Sequence, residues 1–523
     1  MNSRIALLAV AALALPAAAP VQLPQGWTAV ERELWWNSPQ GSRIVPYDWF
    51  QKLEQSASPE LFAAPAHMAA YGYLPSPAHA LNPDALPIGF AKERDRATAT
   101  AWLGMTCAAC HTGALRYQGR TVLLDGAGAM VDTQAFDHDL STALAATASD
   151  DARFARFADR LGAAADSRPA LRGQLAAVAR TRAAATGMNT PPHDHGPGRF
   201  DAQGVIENAL TATALDRPAN ARPPAAPVRL PWVWNAAGYT DARHNAGIGP
   251  LLRNIGKTLG FYGTVDVGKP PAPFYPSSVN VPALEAQEAL LRTLDPPAWP
   301  ADIFPPVDTA RAERGAAVFG QACAACHLAR PKDASGLSPM LLAPLDQRGA
   351  DPGAARSAMT RPAETGVLEG RPIADFGGPV FGLRAGAAEI AGHIGAAVAT
   401  QIPRARLQAG STAYRQANAA DPARPDVYQP IPLAGAWAGA PYLHNGSVAN
   451  LTELLTPAPQ RAARFTVGGR DFDPALVGYP ADTATPGYVL DTTLPGNGNA
   501  GHEYGTTLPD SDKASLVEYL KTL

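Results

Sequence analysis

The chain has 523 residues, and its 43 Lys and Arg against 46 Asp and Glu give a formal charge of −3. That balance, with no long basic run, argues against nucleic acid or an anionic membrane surface as partner, while the length supports two or three domains. Pro (51) and Gly (47) together approach a fifth of the residues, above ordinary usage but below the level of disorder. Many ordered loops and short helices are therefore expected, with something beyond regular secondary structure helping to fill the core.

Residues 1–19 read as a secretory signal peptide. Arg4 supplies a basic start, Ile5 to Leu15 form an apolar run of eleven, and the alanines at 17 to 19 offer a cleavage site. Eleven apolar residues fall short of the ~20 needed to cross a bilayer. The most apolar later stretch, AGAAEIAGHIGAAVATQIP, carries Glu389 and His393, so no membrane span is expected and the mature chain is expected in the periplasm or secreted.

All four cysteines fall in one repeated word, CAACH, at Cys107 to His111 and again at Cys323 to His327. Four cysteines in an exported chain ordinarily mean two disulfides. Here, however, each pair is separated by two alanines and followed at once by histidine, the attachment signature of c-type haem. Two thiols, Cys107 with Cys110 or Cys323 with Cys326, can add to the two vinyl groups on one porphyrin edge. The adjacent imidazole, His111 or His327, then lies beneath the iron, and the small alanines let the backbone pass close to the ring. A zinc site pooled from both words, a thioredoxin-like pair and vicinal disulfide loops explain the histidines less well. The expected cofactors are two covalently bound haem c groups.

The flanks define the organisation. Before the second word, TARAERGAAVFGQACAACH reads as an amphipathic helix with Gly315 and Phe319 on one face. At the C-terminus, LPDSDKASLVEYLKTL has Asp510 or Ser511 as N-cap and Leu516, Tyr519, Leu520 and Leu523 at helical spacing. The pair resembles the crossing terminal helices of class I cytochrome c domains. The first word has a weaker frame, ATATAWLGMTCAACH before it and VPALEAQEALLRTL (281–294) as a closing helix. The expected fold is mostly α and loop-rich, with two tandem class I cytochrome c-like haem domains. The N-terminal domain spans 20–295, the Pro-rich linker, within DPPAWPADIFPPVD (295–308), covers 296–308, and the C-terminal domain spans 309–523.

What occupies the sixth position of each iron decides function, since a strong second ligand favours electron transfer and an open site admits oxygen or peroxide. For the second iron His444 stands out in APYLHNGSVANLTELL, between an aromatic and a helix start marked by Asn450 and Glu453. A histidine satisfying loop carbonyls would look the same, and Met340 and Met359 are alternatives. His393 reads as a satisfied core histidine beside Ile390, Ile394 and Val398. His193 and His195, in PPHDHGPG, could hold a metal but read by default as a solvated loop. His138 and His502 have no informative context. For the first iron, residues 229–263 concentrate Trp232, Trp234, Tyr239, His244 and Phe261. They form either core or an apolar wall that excludes water and leaves a gas-sized pocket.

Taken in order, GMTCAACHTG followed by YQGRTVLLDGAGAMVDTQAF, then PWVWNAAGYTDARHNAGIGPLLRNIG, YPSSVNVPALEAQEALLRTLDPPAWP and APYLHNGSVANLTELL, resemble the di-haem rubber oxygenases and their relatives. Those proteins are themselves akin to bacterial di-haem cytochrome c peroxidases. The resemblance implies that His111 is the sole protein ligand of a dioxygen-binding first haem and that His327 and His444 clamp the second. It also puts Trp234 and the rest of 229–263 beside the oxygen site. This sequence departs from the family at His244, where a large aromatic is expected; a histidine there would ligate the first iron or donate a proton to bound oxygen or peroxide. The chain is also shorter than polymer-cleaving members, so its substrate need not be rubber. The implied activity is oxidative cleavage of an apolar organic substrate by dioxygen. The alternatives are hydrogen peroxide reduction fed by a small electron-transfer protein, or electron carriage with both irons six-coordinate.

Overall fold

Short antiparallel strand pairs flank the first haem word. A computed structural model describes residues 19–95, 98–234, 236–238, 250–268, 275–328, 338, 341–345, 349–373, 379–400 and 427–523. In it, the Arg120–Asp125 strand pairs antiparallel with Thr112–Tyr117 and parallel with Val21–Gln22, burying Val122 and Leu124. Just before the word, Ala101–Met105 pairs antiparallel with Phe90–Arg94. The first CAACH is thus one helical turn, Ala108–His111, held between two hairpins.

The expected helical entry is therefore a strand. ATATAWLG has no 3.6-residue period, and a Cβ on Gly104 would stand 3.0 Å from the Ser42 carbonyl, so the glycine lets this strand lie close to its neighbour. With 39% helix and 14% strand, the protein is mixed α/β rather than mostly α.

The helices of the N-terminal half follow local signals. Asp132 caps Thr133–Ser149 by accepting from the Ala135 amide, and Asp150 caps Asp151–Arg160 by accepting from Arg153. Together with Arg168–Met188 these helices cover a core of edge-to-face aromatics, Phe62, Tyr73, Phe90 and Phe136. The Ala202–Glu207 helix runs on into a π-helical turn, Asn208–Thr213, a geometry often found at functional sites.

Around the second word, the Thr309–Ala322 helix crosses Asp510–Leu520. A Cβ on Gly315 would lie 2.0 Å from the Ser515 carbonyl oxygen, and Phe319 meets Tyr519 with ring centroids 5.2 Å apart.

The two halves do not stand apart. One core combines Trp35 and Trp234 with Trp437, Phe319 and Leu516, and another sets Ile255 and Leu259 against Ile390, Ile394 and Val398. Residues 296–308, read as a stiff spacer, are packed into the first of these cores. Phe304 is buried and stacks on Phe472 at 5.2 Å, and Trp299 meets Trp437 at 5.3 Å. The prolines keep the segment extended while its aromatics supply the packing. No described helix is long and apolar enough to cross a membrane.

Candidate haem centres

One helical turn puts Cys107, Cys110 and His111 on a common face, since residues three and four apart are neighbours on a helix; the His111 amide donates to the Cys107 carbonyl at 3.0 Å. His111 Nδ1 lies 2.8 Å from the Pro231 carbonyl oxygen, so Nδ1 carries the proton and Nε2 keeps its lone pair, as a metal ligand requires. Burial, with Lys257 nearby, pushes this imidazole down to about 3 and keeps it neutral. Burial also raises both free thiols, Cys110 to about 12.

These three residues line a cavity of about 360 Å³, within the ~300–1,000 Å³ range of small-molecule sites. Its walls include Trp35, Phe200, Leu210, Trp232, Trp234 and Phe261, and three cations, Arg229, Arg253 and Lys257, also face it. Arg229 lies over the Trp232 ring at 4.4 Å, and Arg253 pairs with Glu288. Burial lowers Lys257, the neighbouring Arg253 adding to the effect. Apolar walls suit the face of a porphyrin, and cations suit its two propionates, so the residues present fit a haem. Trp234 is 1% exposed, stacks parallel on Trp232, and donates its indole N–H to the Ala434 carbonyl at 2.8 Å.

The second word repeats the wiring. Cys323, Cys326 and His327 share the turn containing Ala324–His327, and His327 Nδ1 lies 2.8 Å from the Ile431 carbonyl oxygen. Burial lowers this imidazole too. The accepting carbonyls, those of Pro231 and Ile431, each lie three residues before a partner in the Trp234–Ala434 hydrogen bond. A chain of covalent and hydrogen bonds therefore joins His111 to His327.

The ring facing His327 belongs to His502, at a centroid distance of 6.1 Å. Two metal–imidazole bonds of about 2 Å plus the ring radii span roughly 6 Å, so one iron fits between them. His502 has φ +52° and follows Gly501 at +86°, a left-handed backbone of the kind that clusters at functional sites. The buried Arg461 guanidinium fixes the turn by donating to the carbonyls of Asn499, Gly501 and His502. No periodic pattern marks this residue; the available signal was the GNGNAG run before it.

His444 has its ring 4.4 Å from that of Tyr428, and its carbonyl accepts from the Arg229 amide at 2.9 Å. Asn445 donates to the carbonyls of Gly496 and Gly498, and Ser447 also donates to Gly498. The His-Asn-Gly-Ser turn is rigid because it supports the loop leading to His502. His393 is a satisfied core histidine, bonded to the Tyr275 hydroxyl and the Ile373 carbonyl at 3.0 Å each. His244, Tyr239, Met340 and residues 1–18 lie outside the described residues, as does the side chain of Met359.

Residues 427–466, which carry Ile431 and Ala434, match the RoxA-like, cytochrome c-like family. The uncharacterized protein y4iJ of Sinorhizobium fredii is 31% identical to this chain over 96% of it and 93% of its own length. A second protein of that organism, y4iM, is 35% identical over 17% of this chain and 26% of its own length. Identity sustained from end to end places the chain in one family with y4iJ, and the matched segment 427–466 supports a RoxA-like c-type cytochrome.

Proposed function

We propose that the chain is an exported di-haem oxidoreductase that binds dioxygen at the haem carried by Cys107, Cys110 and His111 and cleaves an apolar substrate oxidatively. The haem carried by Cys323, Cys326 and His327 relays electrons. The observation that carries this reading is a difference between two matched imidazoles. Each gives its Nδ1 proton to a main-chain carbonyl at 2.8 Å, but His327 faces the ring of His502 whereas His111 borders an apolar-walled cavity. When bound, the haems supply dioxygen binding and one-electron chemistry, the balance set by whether the sixth position is open or filled.

The chain's own residues do the rest. Pro231 and Ile431 orient the imidazoles and fix their tautomers. Trp35, Phe200 and Phe261 line the cavity and exclude water from it. Arg253 and Lys257, one turn apart on the Pro250–Gly260 helix, hold anionic groups at the cavity wall. Trp234, through its bond to Ala434, keeps the two imidazole-bearing segments in register and completes the bonded path between the sites. The signal-like residues 1–19 support export.

Carbon monoxide titration of the fully reduced protein tests the asymmetry. We expect one equivalent bound per chain that contains two haems. Binding at neither haem would make the protein an electron carrier. Peroxide turnover with a small reduced cytochrome, and no stable dioxygen adduct, would make it a peroxidase.

A further inference from the structure

The loop after the Arg168–Met188 helix, PPHDHGPG, is not the solvated segment its sequence implies. His195 is 0% exposed, and neither of its ring nitrogens has a hydrogen-bond partner. Nε2 of the half-buried His193 is likewise buried and without a partner. The two rings stand with centroids 6.1 Å apart. A neutral imidazole has one donor and one acceptor, and buried polar atoms are almost always paired, so three orphaned nitrogens in one tripeptide call for a ligand.

The backbone of the same tripeptide is, by contrast, tied down. The His195 amide donates to the Gln134 side chain at 3.3 Å, and its carbonyl accepts from Arg199 at 2.9 Å. The Asp194 carbonyl accepts from the Tyr488 hydroxyl. Gly196, at φ +76°, comes so close to Tyr488 that a Cβ would stand 2.4 Å from its ring. The imidazoles are thus positioned in advance, which lowers the cost of binding.

Separation and donor set select the ligand. Two metal–imidazole bonds of about 2 Å and the ring radii span roughly 6 Å, so an ion between the rings has nearly opposed bonds. Among the described residues no group of three or more His, Cys, Asp or Glu gathers to hold a metal. A four-coordinate zinc site or an oxygen-rich calcium site is therefore not offered. The buried Arg199 guanidinium bonded to this loop disfavours a divalent charge. A monovalent, polarisable ion that takes imidazole ligands and tolerates two of them is Cu(I).

We propose that His193 and His195 form a two-coordinate Cu(I) site at the seam between the N-terminal helices and the Tyr488–Asp491 strand. The site is independent of both haem words and does not rest on the oxygenase reading. The metal occupies His193 Nε2 and one nitrogen of His195, so that of the three orphaned nitrogens one is left, the N–H of His195.

Anaerobic titration of the dithionite-reduced holoprotein with Cu(I), in competition with bicinchoninate, tests the proposal. The expected result is one chelator-resistant copper per chain, an X-ray absorption edge typical of two-coordinate copper, and loss of that copper in His195→Gln with haem absorbance unchanged. His193→Gln, at the less buried ring, provides the same test should His195→Gln fail to fold. Absence of chelator-resistant copper in the natural protein, or its full retention in His193→Gln, would overturn the assignment.

Discussion

Each candidate iron-binding imidazole is held by one main-chain carbonyl, and that single contact settles which nitrogen is free to ligate. His111 and His327 are alike in this and differ in what stands opposite. Removing His502 should therefore convert the C-terminal haem of His502→Ala from low-spin to high-spin and leave the first haem's spectrum unaltered. His444→Ala should keep the low-spin bands. The reverse pattern, measured by absorption and electron paramagnetic resonance, would assign the ligand to His444. The sequence favoured His444 because its rigidity is written locally, in Asn445, Gly446 and a helix start. His502 owes its rigidity to Arg461, 41 residues earlier in the chain, and no window of local pattern contains that bond.

Among the elements, the crossing of Thr309–Ala322 with Asp510–Leu520 was legible because both helices carry an apolar stripe and the glycine sits within one of them. The hairpin before the first word was not. Its alanines favour helix and its threonines favour strand, so local preference cancels and pairing with Phe90–Arg94 decides the matter. At the helix crossing, contact is close enough that Gly315→Ala must push the helices apart. Overpacking of this kind costs about 1–3 kcal/mol. Denaturant unfolding of the holoprotein should show that loss, and an unchanged midpoint would mean that the contact yields without cost.

For the molecule as a whole, the shared aromatic core makes the two halves, each with its CAACH word, one unit. Trp234 belongs to that core and also bonds Ala434. Trp234→Phe should keep the aromatic packing, lose the hydrogen bond at a cost of about 1 kcal/mol, and slow electron exchange between the haems. Haem content and carbon monoxide stoichiometry should not change. Flash photolysis of carbon monoxide from the half-reduced protein gives the rate, and a rate equal to that of the natural protein would remove Trp234 from the path.

The sequence by itself marked the candidate covalent anchors, because two thiols and an imidazole that share one porphyrin must reach it from within five residues, and that constraint is local. It also determined the helix crossing behind the second anchor. Only the tertiary structure decided what each imidazole meets. Pro231 comes from 120 residues beyond His111 and Ile431 from 104 beyond His327. Contacts at that separation are set by how the cores close, and spacing along the chain does not encode them.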